Sequence, residues 1–353
     1  MEGVSSRRGS WDKAPARVRR LLVFALAMGM FVISGCSLFV PPMAESSDIL
    51  MNTFIRVRAY GPRAGEAADA AIAEMRRLDA LFDPYSEASE IAAINRNAGG
   101  ASVKVSPETL DVMEKALEYA RRTKGAFDIT ILPLIRLWGF GGTPRVPERS
   151  EIERARTLVD YTKVEVNREA GTVRLAERGM GIDLGAIAKG YAVDRAVAVL
   201  RSYGVTSALI DAGGNIYGLG GKPLGLGRSA PWRVGIQHPR RRQEHLARTD
   251  VVNGTVVTSG DYQRYFETGG VRYHHILDPA TGYPARGLSS VTIIGTSSTD
   301  ADALSTSVFV LGPERGVELL KAFPGYDAVL VTESGEVILT DGAAGRVTLQ
   351  DGR

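Results

Sequence analysis

Residues 182–194 read Ile-Asp-Leu-Gly-Ala-Ile-Ala-Lys-Gly-Tyr-Ala-Val-Asp. Apolar residues around an aspartate give way to the small pair Gly185-Ala186, and an apolar repeat then runs through Val193, Val197 and Leu200. That order describes a strand passing into a helix over Ala186 to Tyr203, which stops at Gly204, a residue suited to a helix C-cap. Such a turn invites comparison with dinucleotide-binding βαβ folds, but no GxGxxG opens a helix after a strand. The glycine-rich run Gly218 to Gly227 is followed by Pro231 and a strand, the pattern of a hairpin loop.

The flanks settle the class. Upstream, Ala64 to Phe82 places Met75, Leu78 and Phe82 on one helical face. Ser106-Pro107-Glu108 reads as an N-cap followed by an N1 proline, leading a helix with Leu110, Met113 and Leu117 inward. Ser150 is placed to cap a helix carrying Ile152, Ala155 and Leu158. Strand patterns appear at Thr53 to Ala59, Lys163 to Val166 and Thr172 to Leu175. They then crowd the second half, at Ala208 to Ile210, Trp232 to Ile236, Val251 to Val257, Val291 to Ile294, Ala328 to Val331 and Val337 to Leu339. Early helices and later antiparallel-looking strand pairs predict an α+β fold with mixed or antiparallel sheets and flanking helices.

The chain has 353 residues, 44% hydrophobic and 24% charged, an ordinary globular composition that excludes a disordered or collagen-like chain. A single cysteine excludes an internal disulfide framework. The net charge of +3 is unevenly placed: residues 1–20 hold six positive and two negative side chains, and residues 21–35 hold none. From Cys36 onward the balance is therefore −1, which gives no basis for a nucleic-acid partner.

A basic segment before the uncharged, mostly apolar run Leu21 to Gly35 has the profile of a secretory signal peptide, too short for a permanent membrane span. It ends in Ile33-Ser34-Gly35-Cys36, which looks like a bacterial lipobox with Cys36 as the lipidated first residue of the mature chain. The organisation expected is a signal peptide at 1–35, a tether at 36–50 containing Pro41-Pro42, and a folded domain at 51–353. A lipid anchor would hold that domain outside the cytoplasm, on the periplasmic side of a membrane; Ser37 resembles the residue that sorts such proteins to the outer membrane.

Five segments interrupt the apolar pattern where a core would not ask for it. They are Phe82 to Ile91 with Tyr85 among turn formers, Gly125 to Thr130 leading to Trp138-Gly139, Ile182 to Gly190, Thr258 to Tyr262 continued by Tyr273 to Pro284, and Asp300 to Thr306. The Gly185-Ala186 turn at a helix N-terminus, with Lys189 just inside, offers amides and a positive charge to a phosphate. Asp302 and Thr306, four apart, can present a carboxylate and a hydroxyl from one helical face to Mg²⁺, which prefers oxygen ligands. The same spacing also allows Asp300 or Asp302 simply to cap that helix. Zinc suits the chain less, because its only cysteine sits at the terminus and the side chains of adjacent His274 and His275 diverge.

Taken in order, Asp-Leu-Gly-Ala-Ile-Ala-Lys-Gly-Tyr-Ala-Val-Asp, Thr-Ser-Gly-Asp-Tyr, His-Ile-x-Asp-Pro-x-Thr-Gly and Ala-Asp-Ala-Leu-x-Thr resemble the ApbE family of periplasmic FAD:protein FMN transferases. The resemblance runs from about Met51 to Gly312. It implies a single α+β domain that moves the FMN half of FAD, with Mg²⁺, onto a threonine or serine hydroxyl of an acceptor protein and releases AMP. It further implies that Met51, Tyr85, Ala126, Phe127, Asp128, Asp183, Lys189 and Ile276 contact FAD. By the same resemblance Asp302, Thr306 and the Ala186 carbonyl hold the metal, and His275 and Asp278 activate the acceptor hydroxyl. Acceptors in the family are redox-pump subunits exposed outside the cytoplasmic membrane. Asn52 stands where the family usually has glycine, and Leu277 where it has isoleucine. An FAD pyrophosphatase, a flavin-storing lipoprotein and a purely structural lipoprotein remain as alternatives.

Overall fold

The computed structural model describes residues 40–140 and 142–350. The expected signal peptide and Cys36 lie outside them. Among the described residues, 42–140, 142–222 and 230–350 make one compact unit, organised on an eight-stranded sheet. Its strands are β1 (Met43–Leu50), β2 (Thr53–Tyr60), β3 (Ser207–Ala212), β4 (Asn215–Leu219), β5 (Gly254–Gly260), β6 (Leu288–Gly295), β7 (Asp327–Thr332) and β8 (Val337–Leu339). They lie side by side in chain order, each antiparallel to the next. Helices are inserted between these strands, α1 (Ala64–Phe82), α2 (Glu90–Arg96), α3 (Pro107–Arg122), α4 (Leu132–Trp138), α5 (Arg149–Arg156), α6 (Ala188–Ser202) and α7 (Ser298–Leu320), and the short α8 (Asp341–Ala344) follows β8.

Side-chain alternation in β2 sends Ile55, Val57 and Ala59 to one face, where they are fully buried. That face belongs to the main core with Met75 and Leu78 of α1, Val193 and Leu200 of α6, and Val308 and Phe309 of α7. Burying each large aliphatic side chain contributes roughly 1.5–3 kcal/mol. Over β5 to β7 the opposite face is covered too. Strands 232–237, 245–251 and 347–349 form a small sheet whose Val234, Ile236 and Ala247 cluster with Val256, Ile294 and Val329. β6 is consequently buried at every position, which is why residues 288–295 show no polar alternation.

The α+β expectation holds, as do the helix at Ala64–Phe82 and the Ser106 cap, whose hydroxyl accepts from the Thr109 amide. Four local expectations change. Residues 43–50, expected as tether, form the edge strand β1, so the sheet begins at Met43. The run Val251 to Val257 is two strands in different sheets, parted at Val252-Asn253, with Asn253 in the left-handed region at φ 50°. Ser150 lies inside α5, whose N-cap is Glu148; the Glu148 amide donates to the Glu151 carboxylate at 2.9 Å. Neither Asp300 nor Asp302 caps α7, because Ser297 does: its hydroxyl accepts from the Asp300 amide at 3.2 Å. The glycine-rich run is a hairpin of strands 222–225 and 228–230, as its composition suggested.

Candidate active site

Asn95, near the end of α2, the helix that follows the first segment, holds the third. Its side-chain amide donates to the Ile182 carbonyl at 2.9 Å and accepts from the Ile182 amide at 2.6 Å, filling the role of a neighbouring strand. On the other side of this segment the Asp183 amide donates to the Ile129 carbonyl at 2.8 Å, and Ile131 and Gly181 form a parallel bridge. The Asp183 carboxylate then folds over its own turn and accepts from the Gly185 amide at 2.7 Å. These contacts place Gly185-Ala186 at the mouth of α6.

The remaining segments close in from the sheet. Trp138 of α4 donates from its indole to the Gly282 carbonyl at 2.8 Å and is fully buried with Leu134, Ile152 and Leu277, pinning the loop that follows His275 and Ile276. Ser259 at the end of β5 has its hydroxyl 2.8 Å from that of Ser305 and 3.5 Å from that of Thr306. Asp302, only 3% exposed, faces α6: its Oδ2 accepts from the Gly190 amide at 2.9 Å, and its Oδ1 lies 3.8 Å from Lys189 Nζ. Gly190 is required here, since a Cβ would sit 2.2 Å from the Ser298 carbonyl oxygen.

Together the segments line one cavity of about 910 Å³, within the range of small-molecule and cofactor sites. Met51, Tyr85, Ala126, Phe127, Asp128, Asp183, Ala186, Lys189, His275, Ile276, Asp302 and Thr306 all contribute to its wall. Two of these are largely structural. Phe127 is 2% exposed and sits against Tyr119 in the core, and the Asp128 carboxylate accepts from Thr130, through amide and hydroxyl, and from the Tyr161 amide. Asp278 does not reach the cavity wall: its carboxylate accepts from the Ala280 amide at 2.9 Å and holds the Pro279–Gly282 turn.

Sequence reasoning missed part of the wall. Asp211 and the glycines Gly213 and Gly214 line it from the β3–β4 turn; the two amides donate to the Asp211 carboxylate. A polar break inside the apolar run 208–219 was the available signal. Gln263, Arg264, Gln237 and the stretch Arg242 to His245 also line it, and nothing in their local pattern marks them.

Charge is arranged in opposition across the cavity. Burial raises the Asp183 carboxyl above its usual range, with Arg264 and Lys189 pulling the other way. Burial, followed by the Arg264 charge, pushes the His275 imidazole down to about 3, so it is neutral at physiological pH. Its Nδ1 lies 3.2 Å from the Arg264 carbonyl oxygen, a distance at which N–H donation fixes the tautomer and leaves the Nε2 lone pair free.

The donor set at Asp302 fits a hard divalent cation. A nearly buried carboxylate that receives one N–H and has an ammonium only at 3.8 Å retains unused lone pairs, and the Thr306 hydroxyl stands on the same helical face. Among the described residues no three His, Cys, Asp or Glu side chains group as a metal site, so most of the cation's ligands would come from backbone, water and substrate phosphate.

Residues 51–330 match the ApbE family. The chain belongs to that family. It is 38% identical to the FAD:protein FMN transferase of Treponema pallidum (strain Nichols), over 87% of this chain and 89% of that protein. The crystal structure of the ApbE protein of Thermotoga maritima superposes with a TM-score of 0.80 at 37% identity, covering 86% of this chain and 99% of that one. The flavinyl transferase ApbE of Pseudomonas stutzeri gives a TM-score of 0.77 at 30% identity, with 88% and 98% coverage. The ApbE fold thus carries the cavity just described.

Proposed function

We propose that this ApbE protein is an FAD:protein FMN transferase that moves the FMN moiety of FAD to a threonine or serine hydroxyl of an acceptor protein and releases AMP, with Mg²⁺ bound at Asp302. The observation that carries this reading is the meeting of Lys189, Asp302 and His275 in one cavity of about 910 Å³, room for a dinucleotide. A transferase acting on a diphosphate needs a cation site, a positive side chain and a proton acceptor within one enclosure.

Asp302, Thr306 and the Ala186 carbonyl would hold Mg²⁺, which supplies Lewis-acid neutralisation of the diphosphate charge. Lys189 adds a second positive charge beside the same phosphates, and the mouth of α6 adds its amides. Met51, Tyr85, Asp183 and Ile276 give the rest of the dinucleotide a mixed polar and apolar wall. His275 Nε2 accepts the hydroxyl proton as the acceptor oxygen attacks the FMN phosphorus and the bond to the AMP phosphate breaks. An imidazole held at such a low pKa is a weak base, and it takes the proton as the acceptor oxygen bonds to phosphorus, when that O–H becomes strongly acidic. The flavin is cargo, and no electron transfer is required.

In this reading the protein works on the periplasmic side of a membrane, held by acyl chains on Cys36. No helix among the described residues is long and apolar enough to cross a membrane. Replacement of Asp302 by alanine tests the cation assignment. Asp302→Ala is expected to abolish Mg²⁺-dependent flavinylation of a co-expressed acceptor, and full activity in that variant would remove Asp302 from the mechanism.

A further inference from the structure

We infer that Asp194 positions Asp302, and with it the divalent cation, by locking the first turns of α6 and α7 together; this rests on the cation reading above. Asp194 lies on α6, four residues after Gly190, and Asp302 lies on α7, four residues after Ser298. Each helix supplies a carboxylate to the other's first turn. Asp302 accepts from the Gly190 amide at 2.9 Å. Asp194 accepts from the Ser298 and Thr299 amides at 2.9 Å each, and from the Ser297 and Thr299 hydroxyls at 2.8 and 2.7 Å.

Helix initiation alone does not call for Asp194, because Ser297 already caps α7 from its own chain segment. A second cap reaching from α6 couples the placement of one helix to the other. The coupling is needed because two helix N-termini, each carrying about half a positive charge, meet where the backbones touch at Gly190 and Ser298. Asp194 balances one of them and has four donors. Asp302 balances the other with a single donor and keeps lone pairs for a cation. With Asp194 neutralised, the first turn of α7 loses its charged tie to α6, and Asp302 is no longer held at a fixed distance from Lys189 and Ala186. Asp194 is therefore a positioning residue, acting through Asp302 and touching neither substrate nor metal.

The test uses the full-length protein, with Mn²⁺ as a paramagnetic probe titrated in the presence of FAD. Asp194→Asn is expected to weaken Mn²⁺ binding about 10–100-fold, the usual effect of losing a partner that orients a ligand. FAD affinity without metal, read from flavin fluorescence, should stay within about twofold. Asp300→Asn serves as the comparison: Asp300 is on the same turn of α7 but bonds the Tyr119 and Tyr326 hydroxyls, at 2.9 and 3.0 Å. It should lower the melting temperature and leave Mn²⁺ affinity unchanged. If Asp194→Asn lowers the melting temperature while binding Mn²⁺ like the wild type, Asp194 serves stability alone and the inference is overturned. If the wild type itself binds no Mn²⁺, the cation reading fails first, a distinct result. Should Asp194→Asn not fold, Thr299→Val removes one of the four hydrogen bonds; a smaller weakening in the same direction supports the inference, and unchanged affinity overturns it.

Discussion

His275 and His274 are neighbours in sequence with opposite surroundings. His274 is 1% exposed, with Nε2 2.9 Å from the Ala285 carbonyl oxygen, whereas His275 lines the cavity. The diverging side chains were legible from adjacency alone; the depression of both imidazoles by burial was not, because it depends on what the fold lays over them. His275→Phe keeps a flat ring but offers no lone pair. It is expected to slow FMN transfer by roughly 10²–10⁴-fold, with FAD affinity close to that of the wild type. Transfer at the wild-type rate, followed by mass spectrometry of the acceptor, would assign the proton to another group. Asn52, the departure from the family's usual glycine, also has its reason at this scale. Met51 and Asn52 form the β1–β2 turn at φ 51° and 58°, a region where glycine is easiest and asparagine is among the best tolerated.

Caps and crossings at the level of elements explain which parts of the site could be read from sequence. Helix α1 and the start of α3 were legible because their signals, an apolar face and a Ser-Pro-Glu start, are local. Asp194 as a cap for α7 was not, since donor and acceptor lie 104 residues apart. The division of Val251 to Val257 was missed because both halves are β-branched, although Asn253-Gly254 is itself a turn pair. Asp211 and its two glycines were passed over for a related reason: a hairpin turn and a ligand wall use the same small and polar residues. The crossing of α6 and α7 gives a stability prediction. Gly190→Ala places a methyl 2.2 Å from the Ser298 carbonyl oxygen and 2.8 Å from Asp302 Cβ, so backbone must move. A loss of about 1–3 kcal/mol, read from urea denaturation, is expected; an unchanged midpoint would show that the helices do not meet as described.

The whole molecule joins a chain-order antiparallel sheet to helices, and the N-terminal turns of α6 and α7 meet at Gly190 and Ser298. Residues from all five interrupted segments reach a single cavity. Stability should carry the mark of His274, buried beside the Ala285 carbonyl. His274 is pushed down to about 4, below the imidazole's ordinary value. Between these values the unfolded chain binds a proton that the folded chain refuses, so this contribution is complete above the unfolded value and is lost as pH falls toward 4. Its size is on the order of 3 kcal/mol. Asp128, Asp183 and Asp211, whose carboxyls burial raises, act in the opposite sense, so the informative quantity is a difference between variants. His274→Gln, which keeps a donor for the Ala285 carbonyl, should flatten the fall in unfolding free energy between about pH 6.5 and 4; an equal slope would place the titration elsewhere.

The central claim, that the chain transfers FMN to protein with His275, Lys189 and a cation at Asp302, is tested most directly by product analysis. The full-length protein is incubated with FAD, Mg²⁺ and a threonine-bearing acceptor, and intact masses and released nucleotides are read together. The account predicts an acceptor heavier by one FMN, an equal amount of AMP, and neither product when Mg²⁺ is removed by a chelator. Free FMN and AMP in equal amounts with no gain in acceptor mass would contradict it, since water would then take the place of the hydroxyl.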